Sequence, residues 1–114
     1  MGTKVIHVEV TGKDGPKLQK FYSDIFGWSL DTNNPGGYGM TSNEETGIVF
    51  GVGPTQDGSA GHVTFYVRVP DIDATLEKAT KAGGRVIMPK FNPSPDATLA
   101  LVADPEGHII GLSE

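Results

Sequence analysis

Val5-Ile6-His7-Val8-Glu9-Val10 is the stretch on which the fold turns. Its residues alternate, with Ile6, Val8 and Val10 on one side and Val5, His7 and Glu9 on the other, the period-two pattern of a strand with one buried face. The aliphatic triplet marks the core side. After a turn from Thr11 to Pro16, Leu18, Phe21, Tyr22, Ile25 and Phe26 recur at the three-and-four spacing of an amphipathic helix, which Gly27 ends. Asn33-Asn34-Pro35, Gly36-Gly37, Gly39 and Asn43 then divide the chain into short strands near residues 28–30, 38–41 and 47–52.

A polar connector over residues 56–61 leads into the same order again. His62, Thr64, Tyr66 and Arg68 alternate with Val63, Phe65, Val67 and Val69, and Asp71 and Asp73 open a helix with Leu76 and Ala79 on one face, closed by Gly83-Gly84. Residues 85–88, 98–102 and 108–112 supply three more strands. His62 follows His7 by 55 residues and Gly84 follows Gly27 by 57, so the offset is nearly constant. The expectation is an α+β chain of two tandem βαβββ modules, about 1–54 and 60–114, in one domain.

Composition narrows the function. The chain has 114 residues, 37% of them apolar, enough for one core without disorder. Nine basic and fourteen acidic residues leave a net charge of −5 with the cations scattered, so no positive stripe exists for a nucleic acid backbone. The lack of cysteine excludes a disulfide framework, a thiolate metal site and a cysteine nucleophile. No apolar run reaches membrane-spanning length, and Met1-Gly2-Thr3-Lys4 runs straight into the first strand. A cytoplasmic protein with no membrane partner is expected. The phosphate-loop, H-E-x-x-H and G-x-S-x-G patterns are missing, and Gly36-Gly37-Tyr38-Gly39 reads as a turn because no helix follows it.

Three segments carry a resemblance. Phe21-Tyr22 through Phe26-Gly27-Trp28, Val69-Pro70-Asp71-Ile72-Asp73-Ala74-Thr75-Leu76 with Ala82-Gly83-Gly84, and the turn Asp104-Pro105-Glu106-Gly107-His108 together resemble the vicinal oxygen chelate superfamily. That group includes glyoxalase I, the bleomycin and fosfomycin resistance proteins and the extradiol dioxygenases, and the chain is most similar to its small lactoylglutathione-lyase-related members. The resemblance implies that the modules form a curved mixed sheet with a concave cleft, and that the chain is a homodimer binding a small organic molecule. One scaffold hosts several chemistries, so the reaction is left open.

In that superfamily a divalent metal (zinc, nickel, iron or manganese) is held by residues of the first and last strands of each module. The resemblance places His7 and His62 on the first-strand metal positions, and Gly51 and Gly111 where active members often carry glutamate. Two imidazoles fall short of a catalytic metal shell, so the standard site is incomplete and no cofactor is firmly implied. Glu9, on the same face as His7, is the candidate third ligand or acid–base group. The expected cleft comprises His7, Glu9, Thr64, Tyr66, Arg68, Gly51 and Gly111. Three functions follow from this: a small-molecule-binding protein with an incomplete metal site, a metal-dependent lyase, isomerase or dioxygenase using His7 and His62, and a drug-sequestering protein. Ordinary readings stand beside these. A strand histidine is often a hydrogen-bonded structural residue, an exposed strand arginine such as Arg68 is usually solvated, and Asp104, Glu106 and His108 are explained by turn chemistry.

Overall fold

The computed structural model describes residues 2–114; Met1, the start of the expected first module, lies outside the described residues. The chain forms two compact units, residues 7–63, and residues 64–114 together with the stretch up to Ile6.

The unit of residues 7–63 draws on β1 (Val5–Gly12), α1 (Gly15–Phe26), β2 (Gly39–Met40), α2 (Asn43–Thr46) and β3 (Val49–Pro54). Its strands lie in the order β2-β3-β1, with β1 parallel to β3 and β2 antiparallel to β3. Helix α1 begins where the Asp14 carboxylate accepts from the Lys17 N–H and ends at Gly27, whose left-handed φ of 72° lets its N–H reach Ser23 O. Two details depart from expectation. Residues 28–30 form no strand, and only an isolated bridge from Asp31 to Met40 extends the sheet there. The single-turn helix α2 replaces an expected loop, because the Ser42 hydroxyl caps it by accepting from Glu45 N–H.

The second unit holds residues 64–68 of β4 (Val63–Arg68), α3 (Ile72–Lys81), β5 (Arg85–Ser94), β6 (Ala97–Ala103) and β7 (Ile109–Ser113). The strand order is β4-β7-β6-β5, with β4 parallel to β7 and the other pairs antiparallel. The parallel first-to-last pairing and the antiparallel neighbour of the first unit recur here with one further strand, β5, whose counterpart in the first unit is reduced to the Asp31–Met40 bridge, so the α+β reading holds. β5 outruns its expected length of four residues, since β6 pairs with it as far as Ser94 through three register shifts.

Core burial is uneven. Val69, Ile72, Leu76, Ala100, Val102 and Leu112 form one buried cluster under α3. Helix α1 does not match it: Phe21, Ile25 and Phe26 stay 54%, 52% and 57% exposed. Toward the sheet α1 turns a polar residue, for Gln19 donates to Gly37 O (2.7 Å) and Val52 O (2.8 Å). The helix aromatics stack along the surface, Tyr22 and Phe26 on Trp28, and Trp28 on Phe50 of β3. The face assignment of β4 also needs correction. Val67 and Val69 join the core, but Val63 and Phe65 lie outside it and are exposed, while Thr64 and Tyr66 are buried.

Candidate functional site

Strand β1 presents His7 and Glu9 two residues apart on one face, as its alternation dictates. Around Glu9, within residues 7–63, three side chains gather. His62 Nε2 lies 2.7 Å from Glu9 Oε2, and the Tyr38 hydroxyl lies 3.0 Å from Glu9 Oε1 and 2.7 Å from His7 Nε2. A carboxylate only accepts, so the Tyr38 proton goes to Glu9, and His7 must donate its Nε2–H to the phenol oxygen. His62 donates likewise to the other carboxylate oxygen. The result is a directed chain, His7 to Tyr38 to Glu9 from one side and His62 to Glu9 from the other. Burial lowers the His7 pKa below its ordinary 6.5, and the neighbouring Glu9 charge opposes this, so His7 favours the neutral form, whose Nε2–H tautomer is the one this bond uses.

Tyr38 enters the site by a backbone device. Asn34 Oδ1 accepts from Tyr38 N–H (3.0 Å) and Asn34 Nδ2 donates to Tyr38 O (2.6 Å), while Gly37 before it takes a left-handed φ of 67°. Its ring then lies along β3 over two glycines. A Cβ on Gly53 would meet the ring at 3.0 Å, and a Cβ on Gly51 would fall on the phenol itself. His62 is placed by the backbone: Thr11 N–H donates to His62 O (2.9 Å) and His62 N–H donates to the Thr11 hydroxyl (3.2 Å). Its side chain keeps 29% exposure against 16% for Glu9, so the pair touches solvent through the imidazole.

The expected cleft residues separate. His7, Glu9 and His62 come together. Gly51 is beside them but offers no bare backbone, since Tyr38 covers it. Gly111 is likewise buried under the Tyr66 ring. Thr64 donates to Ile109 O at 2.5 Å and is buried, a structural bond. Arg68 is exposed, with its backbone N–H on Lys4 O. The repeat register also shifts: Glu9 faces Gly51 across β1 and β3, and Tyr66 faces Gly111 across β4 and β7. Thr64 is therefore the counterpart of His7, and His62, one residue ahead of β4, is the counterpart of Val5. From the sequence Tyr38 belongs to a glycine-rich turn at the start of a short strand, with no role in the site. The signal that could have found it is the Gly51-Val52-Gly53 spacing, two glycines on one face of a strand that an aromatic ring on the next strand can cover.

Residues 4–112 match the family model described as the Glyoxalase/Bleomycin resistance protein/Dioxygenase superfamily. The chain belongs to this superfamily. It is 32% identical over 114 residues to CFP32 of Mycobacterium bovis, which carries a glyoxylase name, and the match covers 92% of this chain and 43% of that protein. The chain thus spans less than half the length of the curated relatives it first matches. A glyoxylase-like domain-containing protein of Didymella fabae is 31% identical over 85 residues, covering 68% of this chain and 66% of that one. Among solved structures, a superfamily member from Vibrio splendidus 12B01 matches with a TM-score of 0.66 at 19% identity, covering 98% of both chains. Methylmalonyl-CoA epimerase from Mycobacterium tuberculosis matches with a TM-score of 0.66 at 17% identity, covering 96% of this chain and 86% of that one. These likenesses establish the fold.

Superfamily members often use a divalent metal, and the donor set of this site does not fit one as it stands. Tyr38 separates His7 from Glu9, His62 bonds the far oxygen of Glu9, and both last-strand positions are glycines covered by tyrosine rings. Among the described residues no three His, Cys, Asp or Glu side chains converge as metal ligands. No helix among them is long and apolar enough to cross a membrane.

Proposed function

We propose that this chain binds a small organic molecule at the Glu9–His62 end of the His7–Tyr38–Glu9–His62 chain, as a homodimer. The observation that carries the reading is the half-buried carboxylate held by a phenol and an imidazole, with that imidazole at the solvent edge. Such an array fixes the orientation of a ligand's hydroxyl, carbonyl or carboxyl group by hydrogen bonds in a partly desolvated place. The exposed apolar side chains of α1 support self-association.

A second reading, acid–base catalysis, is favoured by Glu9 itself. Its two oxygens bond a phenol and an imidazole, so a proton taken from a bound molecule has neighbours through which to move. Isomerisation of a carbon acid, as the epimerase name of one structural neighbour suggests, is the reaction class this serves. Drug sequestration needs binding alone and shares the first test. Lyase or dioxygenase chemistry through a metal on His7 and His62 requires Tyr38 to leave its seat.

The test is a ligand-observed NMR screen of small carbonyl compounds, hydroxy acids and aromatic drugs, with light scattering for the dimer. A ligand that binds at this site should shift the His62 ring signals, and Glu9→Gln should weaken it by about tenfold or more, the loss expected for one charge-assisted bond. Binders indifferent to both Glu9→Gln and Tyr38→Phe would place the site elsewhere. Proton exchange at the α-carbon of a bound ligand, lost in Glu9→Gln, would select catalysis over sequestration.

A further inference from the structure

His7 and Glu9 share one atom, the Tyr38 phenol oxygen, at 2.7 Å from the imidazole nitrogen and 3.0 Å from the carboxylate. A divalent cation taken by either donor would stand about 2.0–2.2 Å from it, closer than this oxygen does, so the phenol stands across the approach to both. The remaining arrangement is one that a metal-binding carboxylate requires, because His62 on Glu9 Oε2 fixes the rotation of the carboxylate.

We infer that Tyr38 is the resident occupant of a latent divalent-cation site formed by His7 and Glu9 with His62 behind it, and that its ring keeps the metal out. The ring is seated. It lies on Gly51 and Gly53, where any larger residue would push it away, and Asn34 grips its backbone through both the N–H and the carbonyl. Gln19 of α1 ties the adjoining Gly37 to Val52 of β3, so the segment is pinned to the strand it covers. Gly51 and Gly53 are thereby explained: they make the slot for the ring, and the glycine at 51 is the complement of Tyr38. The inference concerns a cation at this cluster, and its test uses metal alone, so its failure leaves the organic-ligand reading standing and the reverse also holds.

Nickel and zinc titrations by calorimetry on the full chain decide it, with circular dichroism as the check on folding. Wild type and Tyr38→Phe, which keeps the ring, are expected to bind weakly. Tyr38→Ala is expected to bind one equivalent at least about tenfold more tightly, to lose that gain when His7→Ala is added, and to lose part of it with His62→Ala. Gly51→Ala, which displaces the ring without touching a ligand, should shift affinity in the same direction. Tight binding by wild type or by Tyr38→Phe would overturn the inference. So would folded Tyr38→Ala that binds no better than wild type. If that variant does not fold, a folded Gly51→Ala protein with no gain in affinity overturns it instead.

Discussion

At His7 two effects compete, and the pH dependence shows which wins. Burial disfavours the imidazolium and Glu9 favours it, and the first is larger, so the folded-state pKa lies below the ordinary 6.5. The unfolded chain then takes up its proton first as pH falls. His7 thus contributes stability that is present above about pH 6.5 and is lost as pH drops through the folded value. Urea unfolding at pH 7.5 and pH 5 should show a decrease in the wild type that is smaller in His7→Asn, whose amide can still donate to Tyr38. An equal decrease in both would mean that His7 does not govern the pH dependence. A second residue-scale expectation concerns Gly111. A Cβ there runs into the ring of Tyr66, which is 7% exposed and has little room to yield, so Gly111→Ala should cost about 1–3 kcal/mol. A neutral result by chemical denaturation would show that the ring moves freely.

Among the elements, the two helices have similar sequences in pattern and opposite fates. α3 buries Ile72 completely and Leu76 nearly so, and Ile72→Ala should cost about 2–5 kcal/mol. α1 carries Phe21 at an equally apolar-looking position, yet Phe21→Ala should cost no more than about 0.5 kcal/mol in the monomer, since that ring is more than half exposed. Matching losses from the two substitutions would contradict the burial difference. Periodicity makes both helices legible, along with β1 and β4, because alternation and glycine stops act locally. It does not show which face of α1 meets the sheet, because Gln19 reaches two backbone carbonyls whose positions depend on the loop of residues 31–38. The site is legible in the same uneven way. His7, Glu9 and His62 can be named from strand alternation and resemblance, whereas Tyr38 depends on contacts across three strands. Repeat counting misaligns His62, since the matched strand registers emerge only from pairing.

For the molecule, the distribution of buried apolar residues sets where it opens. Tyr66, Val69, Ile72, Leu76, Ala100, Val102, Ala103 and Leu112 are buried in the unit containing residues 64–114, against Val10 and Val52 in the unit of residues 7–63. The unit of residues 7–63 relies on the Gln19 staple, the Asn34 clamp and the Glu9 cluster, hydrogen bonds each worth about 0.5–1.5 kcal/mol net, or about 1.5–3 where a charge takes part. A unit tied mainly by such bonds opens at lower free energy than one closed over an apolar cluster. Native-state hydrogen exchange should therefore find the amides of β6, β7 and α3 protected longest, with β2 and the loop bearing Tyr38 exchanging earlier. A ligand at the Glu9–His62 pair should raise protection over residues 7–63 first, because binding free energy adds to the stability of the unit that holds it. Equal protection of β2 and β7 in the free protein would refute this ordering, and would mean that the polar ties around Tyr38 hold their unit as firmly as the core under α3 holds the other.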